Sequence, residues 1–394
     1  MHPLLTVLAA LTLAAALVVS VRTVVGHNGM TRLIDVAPVG RAAPRLSVIV
    51  AARNEERKIE EAMRSLLAQD YPNLELVVVD DRSSDATGEI IDALAATHRA
   101  LHPVHIDELP AGWLGKLHAL HVGAELATGE ILLFADADVV MEPTVLSRAV
   151  GHLQRNALDH VTIGSEMLTG GAPLLDVAIG AFLFELIRIG QPWLAPNPNS
   201  RRYAGLGAFN MVRVEAYRAI GGHESIRMHP VDDLELGRLL KAAGFRQEML
   251  LGKGMIEIEW YPSTRALVRG LRKNGFAAAS FSVPRVAAIA VTILAFDVWP
   301  WLALLMTDGI TRTLNAGIVV AGVAGYSLIV PHYGLNRWLA PLLPVGAIVI
   351  LDSGLVSTVT TLWRGGITWR GTFYPLSELR RNRSASGSTE RGAN

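Results

Sequence analysis

Apolar and polar positions follow three different patterns along the chain. Residues 3 to 21, PLLTVLAALTLAAALVVSV, form one uncharged apolar run, close to the ~20 residues that a helix needs to cross a bilayer. The run predicts an N-terminal transmembrane anchor within residues 1–24. A cleaved signal peptide fits less well. The flank before the run lacks Lys and Arg, and the run exceeds the roughly 7–15 apolar residues of a signal core. From Pro44 to about Pro284 short apolar runs alternate with amphipathic stretches. Leu46–Ala51 (LSVIVA), Leu74–Val79 (LELVVV) and Ile131–Phe134 read as buried strands. Asn54, Glu55 and Glu56 predict a helix start, with Ile59, Met63, Leu66 and Leu67 on its apolar face. Beyond Pro284 the chain turns apolar again, with two to three spans expected in residues 285–363, at Val286–Met306, Leu314–Val330 and Trp338–Leu362. Trp299, Trp301, Tyr333, Trp338 and Trp363 stand where interfacial aromatics belong. Three full spans would set the arginine-rich tail opposite the side its charge favours. Val286–Met306, interrupted by Asp297 and Pro300, is the segment expected to lie in the interface or to re-enter. Residues 364–394 read as a juxtamembrane segment and a disordered tail rich in Arg, Ser and Gly.

Alternation of strand and helix implies an α/β domain, residues 44–284, with a mostly parallel sheet and helices on both faces. Ligands of such sheets bind beyond the carboxyl ends of the strands. Two of the predicted strands end in carboxylate-rich turns, Asp80-Asp81 and Asp136-Ala137-Asp138, and the first runs into the polar Arg53-Asn54-Glu55-Glu56. Composition adds the membrane: 51% hydrophobic and 18% charged residues, with a mean hydropathy of +0.33, are too apolar for an ordinary soluble domain. A formal net charge of zero speaks against nucleic acid as a partner. The chain has no cysteine, which excludes disulfides, thiolate nucleophiles and zinc–thiolate sites. Arg22, Arg32, Arg41 and Arg45 follow the anchor, so the positive-inside rule places the next domain in the cytoplasm.

Asp136 and Asp138, one residue apart at a strand end, can both reach a hard divalent cation of the kind that bridges two phosphates. The competing reading is a solvated turn. A carboxylate of Asp80-Asp81 can accept from a nucleobase N–H or a ribose hydroxyl, while Ser83, Ser84 or Asp85 caps the helix that follows. His229-Pro230-Val231-Asp232-Asp233 opens a helix with Leu234, Leu236, Leu239 and Leu240 as its apolar residues and Gly244 at its end. Acidic residues there either complement the macrodipole or take a proton from an attacking hydroxyl. His102 with His105, and His118 with His121, mimic metal pairs without a third ligand. His229 beside Asp232 could complete a metal shell. Lys116 sits where a cation could meet a diphosphate, or is a solvated lysine at a loop–helix junction.

These segments, taken in order, carry a resemblance. Val50-Ala51-Ala52-Arg53-Asn54-Glu55-Glu56, Val78-Val79-Asp80-Asp81-Arg82-Ser83-Ser84-Asp85-Ala86-Thr87, Asp136-Ala137-Asp138 and Asp232-Asp233 resemble the family 2 glycosyltransferases, whose catalytic domain has the nucleotide-diphospho-sugar (GT-A) fold. The resemblance covers about residues 44 to 280. Gly112-Trp113-Leu114-Gly115-Lys116, Gly207-Ala208-Phe209-Asn210, Ile220-Gly221-Gly222-His223 and Trp369-Arg370-Gly371-Thr372-Phe373-Tyr374 are similar to the integral-membrane branch that glycosylates lipids such as hopanoids, carotenoids and ceramide. The resemblance implies that Ala52, Glu55 and Asp81 contact the nucleoside and that Asp136 and Asp138 hold the metal and the diphosphate. It also implies that Asp233 is the general base, with Asp232 and Lys116 lining the donor site. No Gln-x-x-Arg-Trp occurs. Arg265, Arg269, Arg272 and Lys273 form a basic stretch in its stead, which argues against a processive synthase and suits lipid headgroups equally well.

The expectation is therefore a metal-dependent hexosyltransferase of the cell membrane, its catalytic domain cytoplasmic and its cofactor Mg²⁺ or Mn²⁺. It would move one sugar, with inversion, from a nucleotide-diphospho-sugar (a UDP-sugar first) to a lipid acceptor. A polyprenyl-phosphate sugar synthase and a non-catalytic membrane scaffold of the same fold are the alternatives. A dinucleotide-dependent dehydrogenase is set aside because no Gly-x-Gly-x-x-Gly follows the first strand.

Overall fold

The structure, a computed structural model, describes residues 3–40, 42–369 and 372–380. Arg41, the Arg370-Gly371 pair and the tail from residue 381 lie outside the described residues. The chain divides into two compact units. Among the described residues, one comprises Met30–Met167 and Pro192–Glu259 with residues 377–380, the other residues 3–29, Leu168–Gln191 and Trp260–Leu376.

The first unit is built on ten strands: β1 (Leu46–Ala52), β2 (Leu74–Asp81), β3 (Leu101–Ile106), β4 (Ile131–Asp136), β5 (Val139–Met141), β6 (His160–Gly164), β7 (Glu166–Met167), β8 (Asn210–Arg213), β9 (Gln247–Leu251) and β10 (Ile256–Ile258). Seven form one sheet in the order β3-β2-β1-β4-β8-β6-β9, and β5-β10-β7 form a small second one. Only β8 runs against its neighbours in the large sheet. All seven residues of β1 are buried, as befits a central parallel strand covered on both faces. Val48, Val50, Met63, Leu76, Leu133 and Val150 belong to one continuous core. Register brings the chemistry together: Ala51 pairs with Asp136 and Ala52 with Asp80, so the carboxylate ends of β2 and β4 flank the end of β1.

The first helix of this unit, Ile59–Leu67, begins five residues later than the polar signal at Asn54 suggests. Asn54 is left-handed, with φ 56°, and its Oδ1 accepts the Ser84 amide at 2.8 Å. The Glu55 amide donates to Thr87 Oγ1 at 2.8 Å, and the Ala86 amide donates to Glu56 Oε2 at 3.1 Å. The loops after β1 and β2 are thus knitted to each other, and that tertiary bonding outweighs local helix propensity. Asp85 accepts from the Thr87 amide at 3.1 Å, but the N-cap of the helix Thr87–Ala95 is Ala86, without a side-chain cap, so none of Ser83, Ser84 and Asp85 takes the capping position.

Among the described residues of the second unit four helices are long and apolar enough to cross a membrane: Pro3–Asn28, Val283–Met306, Gly309–Tyr333 and Arg337–Arg364. Val283–Met306 runs on through the suspected interruption: Leu294–Val298 forms a π turn, followed directly by the α-helix Trp299–Met306 with Pro300 in its first turn. Asp297, on the π turn, is buried and receives Arg188 Nη2 at 2.7 Å and Nη1 at 3.2 Å. Arg188 belongs to the helix Pro173–Gly190 and also donates to Glu185 at 2.7 Å. Residues 168–191 and 260–284 therefore pack with the membrane-length helices rather than with the α/β core. Arg265, Arg269 and Arg272 are exposed along one helix, Thr264–Ala278.

Candidate active site

The α/β unit holds a small open pocket lined by Lys116, Asp136, Asn210, His223, Asp232 and Asp233, among others. Asp136 is the last residue of β4, Lys116 is the second residue of the helix Gly115–Leu126, and Asp232 and Asp233 begin the helix Asp232–Ala242. Lys116 Nζ lies 2.9 Å from Asp136 Oδ1 and 3.4 Å from Asp232 Oδ2. Burial works against the lysine's charge, but Asp136, Asp232 and Asp233 outweigh it and hold its pKa above the usual lysine range. The solvated-lysine reading of Lys116 is thereby replaced. Among the described residues, it is the one Lys or Arg lining a cavity that carries three carboxylates.

Asp232 and Asp233 diverge, as adjacent helical residues do. Asp232 is buried towards Lys116, whereas Asp233 Oδ1 accepts the Leu234 amide at 2.8 Å. Burial, then the charge of Asp232, pushes the Asp233 carboxyl up to about 7, against the pull of Lys116. Two glycines let the backbone approach. A Cβ on Gly205 would lie 2.0 Å from the Asp233 carbonyl oxygen, and one on Gly207 would lie 2.8 Å from Asp136 Oδ2.

The nucleoside-side residues are arranged differently. Ala52 is fully buried at the end of β1. Glu55 is half-buried in the knitted loops. Asp81 is completely enclosed, with Arg82 Nε at 2.7 Å and Arg53 Nη1 at 3.8 Å, and its Oδ2 has no hydrogen-bond partner. Asp80 accepts the Ser83 amide at 3.2 Å and lies 3.4 Å from His105 Nδ1.

Asp138 lies 3.5 Å from Lys58 Nζ, and burial followed by the charge of Asp136 raises its pKa. Among the described residues, no group of three or more His, Cys, Asp and Glu is arranged to hold a metal. The pair Asp136 and Asp138 offers hard oxygens that repel each other. That donor set fits a hard divalent cation completing its shell on phosphate oxygens. His229 does not join them: its Nδ1 donates to the Val231 carbonyl at 3.2 Å, and its Nε2 lies 3.7 Å from Glu235. His105 pairs with Asp80 and Asp92, and His118 and His121 pack on Trp113, with ring centroids 5.5 and 4.9 Å away.

Three site residues carried no signal strong enough for a role to be assigned from sequence. Lys58 sits in a run of charges that reads as a solvated helix start. His223 lines the cavity beside Phe134, with ring centroids 4.5 Å apart. Burial, then Lys116 and His121, pushes its pKa down to about 3, so it is neutral. Asn210 donates to the Asp233 carbonyl at 3.3 Å and accepts from His160 Nε2. Burial keeps His160 neutral, its pKa lowered to about 4. This chain of bonds ties the helix start that carries Asp233 to β6 and β8.

Residues 47–170 match the family model described as Glycosyl transferase family 2, so the resemblance read from the motifs holds for that stretch. A 4,4'-diaponeurosporenoate glycosyltransferase of Staphylococcus haemolyticus is 22% identical over 270 residues, covering 64% of this chain and 66% of its own length. That of Staphylococcus aureus strain USA300 is 26% identical over 204 residues, covering 49% of this chain and 50% of its own. The matched region thus spans between half and just under two thirds of these curated relatives. Among solved structures, a mannosyltransferase from Pyrobaculum calidifontis in complex with GDP-Man and Mn²⁺ aligns with a TM-score of 0.54 and 22% identity, covering 91% of this chain and 99% of that one. At that identity the likeness shows the fold, a GT-A-like α/β fold with a mostly parallel sheet.

Proposed function

We propose that the chain is a membrane-bound inverting glycosyltransferase that moves one sugar from a nucleotide-diphospho-sugar, a UDP-sugar first, to a lipid acceptor. The observation that carries this reading is the placement of Asp233 on a cavity shared with Lys116, Asp136 and Asp232. A carboxylate poised near neutrality can take a hydroxyl proton as the bond to the anomeric carbon forms. Asp232 and Lys116 hold the donor side of the cavity in register with that base. Asp136 and Asp138 would hold Mg²⁺ or Mn²⁺, which when bound would supply positive charge to neutralise a leaving nucleoside diphosphate. Ala52, Glu55 and Asp81 are assigned to the nucleoside. Four helices of membrane length keep the catalytic unit near a lipid acceptor, and Arg22, Arg32 and Arg45 favour the cytoplasmic side.

A second reading draws on the names of the curated relatives. Diaponeurosporenoate is named as a carboxylate, and an acceptor already ionised at neutral pH, carboxylate or phosphate, asks little of a base. Mass spectrometry of lipids from cells with and without the gene tests the function. One or more sugar-bearing lipids should vanish with the gene, and an unchanged glycolipid profile would sink the proposal. Orientation is checked separately with Glu89→Cys, an exposed position in a chain without native cysteine. An impermeant thiol reagent should leave it unlabelled in intact cells, and ready labelling would invert the topology.

A further inference from the structure

Each carboxylate of the Asp136/Asp138 pair shares a lysine with one carboxylate outside the pair. Lys116 bridges Asp136 at 2.9 Å and Asp232 at 3.4 Å. Lys58 Nζ lies 3.5 Å from Asp138 Oδ2 and 3.0 Å from Glu259 Oε2, and it also donates to the Glu259 carbonyl at 3.0 Å. The two lysines come from different loop–helix junctions, before Ile59–Leu67 and within Gly115–Leu126, so one helical face does not explain the repetition. The contacts of Lys58 are unequal. Glu259 holds it twice at the shorter distance, and Asp138 holds it once at the longer.

A divalent cation arriving between Asp136 and Asp138 meets both ammonium charges, and like charges at such range repel strongly in a partly buried site. Neither lysine need enter solvent to make way, because each already touches a second carboxylate. Moved back, each remains beside the place where phosphate oxygens would complete the cation's shell. A lysine is suited to this: its compact ammonium on a flexible stem can change partners, where a guanidinium fork would be fixed.

We propose that Lys58 and Lys116 are exchangeable counter-ions of the metal–diphosphate site, yielding Asp138 and Asp136 to the cation and then binding the diphosphate from their anchors on Glu259 and Asp232. The proposal rests on the reading of Asp136 and Asp138 as metal ligands. It makes metal and nucleotide cooperative, since the diphosphate rewards the shift that the cation requires. By linkage, each then tightens the other by the same factor.

Binding of Mn²⁺ to the full-length protein in detergent, read from the paramagnetic resonance of free Mn²⁺, tests this with UDP as the nucleotide and GDP as its replacement if UDP does not bind. In the wild type the nucleotide should tighten Mn²⁺ by about 10-fold or more, within the ~5–150-fold usual for coupled sites. Lys58→Met should bind Mn²⁺ alone several-fold more tightly, while the nucleotide's enhancement falls below about threefold. Lys58→Arg keeps the charge but not the mobility of an ammonium, so it should give less enhancement than the wild type, and a matched melting temperature establishes that Lys58→Met is folded. Lys241→Met removes a charge that holds the carbonyls of Ala195 and Asn197 and should behave as the wild type does. If Asp138→Asn loses Mn²⁺ while Lys58→Met keeps wild-type affinity and enhancement, the metal reading stands and the exchange is overturned. If Asp138→Asn binds Mn²⁺ as tightly as the wild type, the metal reading itself fails and the exchange falls with it.

Discussion

Two clusters of charge, one in each unit, are made of similar groups and differ in what they leave unmet. In the membrane-length unit Arg188 lies between Glu185 and Asp297, with Phe184 and Phe296 near its guanidinium at 5.5 and 5.3 Å from the ring centroids. Its planar fork grips Asp297 through both terminal nitrogens, as a guanidinium can and an ammonium cannot. All three residues are at most 8% exposed. In the α/β unit Lys116 faces Asp136, Asp232 and Asp233 on an open cavity. One compact ammonium cannot neutralise three carboxylates, so negative charge is left over where a ligand can enter. A sealed and gripped cluster holds helices together. An open one leaves its charge where a ligand can reach it.

The sharpest way to break this comparison is at Asp233. General-base catalysis is typically worth ~10²–10⁴ in rate, so Asp233→Asn should lose at least about a hundredfold in kcat while still binding the nucleotide sugar. Asp232→Asn should lose less, since it positions Lys116 rather than touching the acceptor. Kinetics with a hydroxyl acceptor decide. A deader Asp232 variant with normal donor binding would move the base to Asp232. Near-normal rates in both would show that neither carboxylate takes the acceptor's proton.

The sealed cluster should answer in stability instead. Arg188→Met strands two buried carboxylates, and breaking a buried pair in this way costs about 3–5 kcal/mol. A large fall in melting temperature in detergent is expected, with donor affinity of the remaining folded protein unchanged. An unaltered melting temperature would show that the triad holds nothing.

A gentler probe is pH. The base must be ionised, and burial with Asp232 raises its pKa to about 7. Protonation below that value removes the active form, so kcat/KM should fall about tenfold per pH unit on the acid side and level off above it. A cation on Asp136 offsets one of the charges that raise Asp233, so the kcat limb should lie at lower pH than the kcat/KM limb. A profile flat from about pH 5 to 8 would remove Asp233 from the proton transfer.

Much of the α/β unit was legible because buried parallel strands are continuous apolar runs. The three strands read from sequence appear side by side, with the carboxylate ends of β2 and β4 flanking the end of β1. What failed was tertiary. Asn54 looks like a helix start, yet its left-handed backbone and its bond to Ser84 belong to a pair of loops that meet only in the fold. The helix Pro173–Gly190 is apolar, and apolarity does not say which core receives it. Asp297 reads as an interruption because its partner, Arg188, lies 109 residues away. Lys58 was hidden among Arg53, Glu55, Glu56 and Arg57, where one more charge is no signal. Among the site residues, Asp136, Asp232, Asp233 and Lys116 were named in advance from motif order, and the structure brings them to one cavity. Asp81 is set apart, enclosed by arginines.

The central claim, that the open carboxylate cluster works with a divalent cation to transfer a sugar, is met most directly by following labelled nucleotide sugar into the lipid fraction with purified protein. Transfer should stop in excess EDTA and return on adding Mn²⁺ or Mg²⁺ beyond the chelator, and Asp138→Ala should not be restored by either ion. Undiminished transfer in excess EDTA would contradict it.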